Sequence, residues 1–219
     1  MNHQPTVVYF VRHGQTAANA GNVMQGQTDV PLDETGLLQA DIVAARLKNF
    51  HFDVICSSDL SRALVTAKKI ARNRDIIVTP QLREWNLGHW QGKSMDVIRD
   101  IYREEFQIYK ADDPAFTVVD GESSLDFKIR VETFMQQLAS DYPGKTILCV
   151  SHGGFITKAL KYVLQIQSFQ LRPRIFNTSI SCFSTPDHGS SWQLVFWNDA
   201  SHLDAGLESR LGTAGPRAL

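Results

Sequence analysis

Val7-Val8-Tyr9-Phe10-Val11-Arg12-His13-Gly14 and, far downstream, Ile147-Leu148-Cys149-Val150-Ser151-His152-Gly153-Gly154 are apolar runs that break off alike, at a histidine followed by glycine. Short β-branched runs bounded by polar or glycine-rich residues are strand signals. Asp53 to Cys56 and Ile76 to Val78 repeat the pattern, and helical spacings fill the intervals. Strands that alternate with helices predict an α/β fold, a three-layer α/β/α sandwich around a mostly parallel central sheet.

The helical segments are read from their apolar periodicity. Phe127, Val131, Phe134 and Leu138 fall at i, i+4, i+7 and i+11, behind a capping box of Ser123 and Asp126. Met95, Ile98, Tyr102, Phe106 and Tyr109 keep helical spacing, as do Ile156, Leu160 and Val163. Thr35 is expected to precede a helix with Leu38, Ile42 and Ala45 on its core face. Ile180, Cys182 and the run Leu194 to Trp197 flank Pro186-Asp187-His188-Gly189, which predicts two strands joined by a turn.

A chain of 219 residues with 43% apolar and 21% charged composition fits one large domain, residues 1–219, with a tail after Leu207 that lacks a core pattern and is expected to be mobile. A net charge of −1 supplies no long-range field for nucleic acid or an anionic membrane. Any bound anion must be held by a local cluster. Met1 to Thr6 lacks a signal-peptide pattern and no apolar run is long enough to span a bilayer, so the expected location is the cytoplasm. Cys56, Cys149 and Cys182 are odd in number and lie within apolar runs, which argues for buried thiols rather than disulfides or zinc. The sequence leaves homo-oligomerisation open.

In an open α/β sheet, ligands bind at the carboxyl ends of the strands. Arg12, His13, His152 and Gly153 are therefore delivered to one rim. The third predicted strand leads into Ser57-Ser58-Asp59-Leu60-Ser61-Arg62, with Ser58 as N-cap and Arg62 in the first helical turn. A cation at that end opposes the helix dipole unless it and the helix jointly face an anion. Leu82-Arg83-Glu84 brings a carboxylate to the same rim. Arginines can hold phosphate oxygens, a neutral histidine can attack phosphorus, and a carboxylic acid can protonate the leaving oxygen. No metal or cofactor is needed. A divalent ion held by His13, His152 and Glu84 would be repelled by Arg12 and Arg62.

Arg12-His13-Gly14-Gln15-Thr16-Ala17-Ala18-Asn19, followed by Gln25-Gly26, Asp29, Pro31-Leu32, Gly36 and Gln39-Ala40, resembles the opening motif of the histidine phosphatase superfamily, the phosphoglycerate mutase-like proteins. Ser57 to Ala63, Leu82-Arg83-Glu84 and Ser151 to Gly154 extend the resemblance over about three-quarters of the chain. The resemblance implies that His13 is the phosphorylated nucleophile and that Glu84 is first proton donor and then base. It implies a phosphate pocket of Arg12, Arg62, His152 and Gly153, polar contacts from Thr16 and Asn19, and a substrate border at Gln25 and Gly26. Gln15 departs from the family, which more often has glutamate there. His202 resembles a recurring C-terminal element and receives no role.

The segment from Trp85 to Glu122 bears on what accepts the phosphoryl group. A mutase must grip a carboxylate and a second phosphate, yet Lys93, Arg99, Arg103 and Lys110 are outnumbered there by eight acidic residues. Trp85 to Gly92 is also similar to the phosphatase branch and lacks the tyrosine typical of mutases after the glutamate. The expected substrate is a small phosphomonoester hydrolysed through phosphohistidine. The alternatives are a cofactor-dependent phosphoglycerate mutase and a non-catalytic phospho-ligand binding domain, the latter disfavoured because His13 and Glu84 are both present. Trp85, Trp90, Phe106 and Phe116 are read as core rather than as an apolar mouth.

Overall fold

The computed structural model describes residues 4–167 and 173–203, so the tail after Leu207 lies outside the described residues. Six strands form one sheet in the order β3-β2-β4-β1-β5-β6. They are β1 (Thr6–Arg12), β2 (Val54–Ser58), β3 (Ile77–Thr79), β4 (Thr146–Ser151), β5 (Ile180–Thr185) and β6 (Gln193–Asp199). The first four are mutually parallel; β5 and β6 add an antiparallel edge. β4 and β1 occupy the centre, which is why their sequences are near-continuous apolar runs.

Two helical layers cover the sheet. On one face Val8, Phe10, Ile147 and Cys149 pack with residues of α6 (Ser124–Asp141) and α7 (Gly153–Leu164). On the other, Val11, Leu148 and Val150 pack with α2 (Glu34–Arg46) and α3 (Ser61–Ala71). The alternation of side chains along each strand assigns odd and even positions to these two cores. The remaining helices are α1 (Ala17–Ala20), α4 (Met95–Ile101) and α5 (Arg103–Lys110). No helix among the described residues is long and apolar enough to cross a membrane.

Several local expectations are corrected. α2 begins at Glu34, capped by Asp33, whose carboxylate accepts from Gly36 N at 2.7 Å. Its core face is Gly36, Gln39, Ala40, Val43 and Ala44, while Leu38 and Ala45 face solvent. Small residues won that face because the loop bearing the first histidine crosses it: a Cβ on Gly14 would lie 2.4 Å from Gly36 O. The pattern from Met95 to Tyr109 is split at Tyr102, whose ψ of 43° interrupts the helix. Ser123 caps α6, but Asp126 accepts from the Ser123 hydroxyl at 2.7 Å, and no reciprocal backbone bond completes the box. Trp85, Trp90, Phe106 and Phe116 are all buried in the core, and the three cysteines are buried free thiols.

Candidate active site

Register brings the two histidines together. Arg12 on β1 pairs with Ser151 on β4, and the next residue on each strand is a histidine. His13 N donates to Ser151 O at 3.0 Å, and the imidazole centroids lie 5.0 Å apart. His13 Nδ1 lies 2.7 Å from Gly14 O. A carbonyl only accepts, so Nδ1 carries the proton and Nε2 keeps its lone pair. Burial, then the charges of Arg62 and Arg12, holds the His13 pKa well below the ordinary imidazole range. His152 is depressed in the same direction, by burial, Arg62, His13 and Arg12. Both rings are therefore neutral at pH 7.

Arg62 is fully enclosed and donates to Thr28 O and Gly26 O, each at 2.8 Å. Gly26 reaches that position with φ of +51°, where a Cβ would strike Gln91. Arg12 Nη1 donates to Ile175 O at 2.6 Å. Burial pushes both arginines down to about 10, still far above neutrality, and the charge of Glu84 partly offsets that effect in each. Three buried nitrogens of this group, Arg12 Nε, Arg62 Nε and His152 Nδ1, have no hydrogen-bond partner among the described residues. A buried polar atom without a partner is costly, and the two arginine N–H donors among these three call for an acceptor with several oxygens.

Glu84 is presented by the turn after β3. Its Oε1 accepts from Trp85 N and its Oε2 from Gly154 N, both at 2.9 Å. The carboxylate thus sits at the start of α7, beside His152. Two groups missed in the sequence hold this turn: Arg130 donates to Arg83 O at 2.8 Å and Glu84 O at 3.1 Å while paired with Glu122, and Gln27 donates to Glu84 O at 3.0 Å. Arg130 lies on a helix whose pattern marked only its apolar face. Nothing local to it advertises a contact 46 residues away.

Thr16 and Asn19 form a capping box on α1, and Thr16 Oγ1 donates to Gln25 Oε1 at 3.0 Å. Asn19 Oδ1 also accepts from Asn177 at 3.3 Å. Asn177, a further residue missed, donates to His13 O at 2.8 Å. Gly153 opens α7 against the Arg12 guanidinium. Ser58, expected as an N-cap, is not one: Leu60 caps α3, and Ser58 Oγ instead lies 2.9 Å from His152 Nε2. Asp29 accepts from Ser61 N at the head of that helix. His202 Nε2 lies 3.5 Å from Thr178 Oγ1. Gln15 donates to Asp33 at 3.0 Å, which accounts for the amide at this position: a glutamate would face a carboxylate.

Comparison with known proteins places these residues in a family. The model of the histidine phosphatase superfamily, branch 1, matches residues 8–200, and the chain belongs to that superfamily. Phosphoglycerate mutase-like protein 4 of Arabidopsis thaliana is 33% identical over 96% of this chain and 92% of its own length. The probable phosphoglycerate mutase GpmB of Enterobacter sp. (strain 638) is also 33% identical, over 90% and 95%. Among solved structures, phosphoserine phosphatase of Entamoeba histolytica, in complex with 3-phosphoglyceric acid, matches with a TM-score of 0.81 and 28% identity over 90% and 98%. The mycobacterial glucosyl-3-phosphoglycerate phosphatase matches at 0.80 and 29%, over 90% and 100%. The chain is a phosphatase-like or mutase-like member of this superfamily.

Proposed function

We propose that this chain, acting as one catalytic domain, is a metal-independent phosphatase that hydrolyses small phosphomonoesters through a phosphohistidine on His13. The observation that carries the reading is the set of three orphaned nitrogens, on Arg12, Arg62 and His152, around a neutral imidazole. Phosphate oxygens would satisfy all three. With the Ser58 hydroxyl donating to His152 Nε2, the proton of that ring sits on Nδ1, ready to donate.

In the first step the His13 Nε2 lone pair attacks phosphorus and the P–O bond to the leaving group breaks. Protonated Glu84 gives its proton to the departing alkoxide. In the second step the Glu84 carboxylate takes a proton from water as its oxygen attacks phosphorus, and the P–N bond breaks to return neutral His13. Arg12 and Arg62 stabilise the charge on the equatorial oxygens in both steps. Thr16, Asn19, Gln25, Gly26 and Gly153 border the leaving group and the phosphate.

The balance of phosphatase over mutase rests on the segment that would grip a second anion. Lys93 donates to His89 O and lies over the Tyr102 ring; Arg99 pairs with Asp96 at 3.3 Å; Arg103 and Lys110 are exposed on α5. The phosphatase names of the similar structures point the same way. The test is release of inorganic phosphate from a panel of phosphomonoesters in EDTA, with and without His13→Ala. Interconversion of 2- and 3-phosphoglycerate without release would establish the mutase, and binding without turnover the non-catalytic domain.

A further inference from the structure

Gln27 is a half-buried amide on the loop between α1 and α2, and both ends of it are engaged. Its Nε2 donates to Glu84 O at 3.0 Å, and its Oε1 accepts from Arg83 Nη1 at 3.4 Å. Its backbone N–H donates to Gln91 Oε1 at 2.6 Å. The residues on either side are tied to the phosphate pocket: Arg62 donates to Gly26 O and to Thr28 O, each at 2.8 Å, and its Nε has no partner among the described residues. Three consecutive residues therefore join the Arg62 guanidinium to the turn that presents Glu84.

The peptide after Glu84 makes that contact matter. A peptide unit is planar, so the Glu84 carbonyl and the Trp85 N–H turn together. The carbonyl accepts from Gln27 and, at 3.1 Å, from Arg130, while the N–H donates to Glu84 Oε1 at 2.9 Å. Rotating this peptide carries the N–H away from the carboxyl group it holds. A donor on the carbonyl thus fixes the carboxyl group through one rigid plane. Arg130 supplies such a donor from α6, and Gln27 supplies one from the loop that Arg62 anchors.

We infer that Gln27 is a positioning residue for Glu84, holding the proton donor in register with the phosphate that Arg62 grips. This rests on the phosphatase reading above. In the first step Glu84 acts only on the departing oxygen, so the loss of Gln27 falls on substrates whose leaving group needs a proton. Misplacing a reacting group by about 1 Å costs about a hundredfold; with Arg130 still on the carbonyl, the expected cost is about tenfold.

Phenyl phosphate and p-nitrophenyl phosphate share a ring but differ in the basicity of the departing oxygen, and phenolate, the more basic, depends more on the acid. The value of kcat/KM ends at the first irreversible step, transfer to His13, so the later use of Glu84 as base does not enter. The ratio of kcat/KM for phenyl phosphate to that for p-nitrophenyl phosphate is internal to each preparation, and a general loss of activity cancels. In Gln27→Met, similar in size but without hydrogen bonds, this ratio should fall about tenfold. Gln27→Glu keeps an oxygen toward Arg83 but cannot donate to Glu84 O, and should lower the ratio too. In a Glu84→Gln background, Gln27→Met should leave the ratio where Glu84→Gln alone puts it, since the one residue acts through the other. A ratio unmoved in both Gln27 variants, or a further fall in the Glu84→Gln background, overturns the inference. If the wild type hydrolyses both substrates and the ratio is unmoved, only the role of Gln27 fails; if it hydrolyses neither, the phosphatase reading fails with it.

Discussion

Lowering the pH from 7.5 to 5.5 should destabilise this fold through its own active site. His13 and His152 are held neutral by burial and by Arg62 and Arg12, with folded pKa values well below 6.5. In the unfolded chain each returns to about 6.5 and binds a proton as the pH falls. The unfolded state therefore binds more protons than the folded one, and stability drops with falling pH below about 6.5. For a histidine that stays neutral when folded, the loss between pH 7.5 and 5.5 is about 1.4 kcal/mol, hence about 2.7 kcal/mol for the pair. His202 is depressed as well, chiefly by burial, and adds to the loss. With a slope of about 2 to 3 kcal/mol per molar urea, the pair alone moves the unfolding midpoint by about 1 M. Urea titrations at four pH values measure this directly. Replacing both histidines by glutamine should remove most of the pH dependence while leaving that of His202. A wild-type midpoint unchanged from pH 7.5 to 5.5 would refute the claim that the imidazoles are buried and neutral.

Glu84→Gln removes the proton donor of the proposed mechanism and keeps one of the two oxygens that accept from Trp85 N and Gly154 N; kcat on alkyl phosphates should fall by about 10² to 10⁴. p-Nitrophenyl phosphate, whose leaving group needs no proton, should suffer much less in its phosphorylation step, and equal losses for both substrates in single turnovers would count against this role. Gln15→Glu replaces a hydrogen bond to Asp33 with facing carboxylates and should cost about 1 to 3 kcal/mol at pH 7 in urea unfolding. Adding Asp33→Ser should recover much of that loss, since a hydroxyl can both cap the helix and donate to the introduced carboxylate. Asn177→Ala leaves His13 O without its side-chain donor and should cost about 1 to 3 kcal/mol, read the same way.

The centre of the fold was readable because the two middle strands are buried on both faces and cannot hide among polar residues. That same burial delivered His13 and His152 to one rim, and glycine after each marked the close approach of backbone. α2 was misread because its core face is made of Gly36, Gln39, Ala40, Val43 and Ala44, and the close passage of the His13 loop, rather than hydrophobicity, decides which side faces inward. Ser58 has the chemistry of a cap, yet tertiary contact with His152 claimed its hydroxyl. Arg130 and Asn177 act through carbonyls far away in sequence, and a pattern of side chains carries no record of which carbonyl each will meet. Gln15 was visible as a departure from the family, but its reason, Asp33, required the turn to be folded.

The most direct test is to trap the intermediate. Rapid acid-free quenching of the enzyme during turnover, followed by proteolysis under alkaline conditions and mass spectrometry, should find one phosphoryl group on His13, labile to acid and absent from His13→Ala. Turnover that persists in His13→Ala, or a phosphoryl group found on a different residue, would contradict the account.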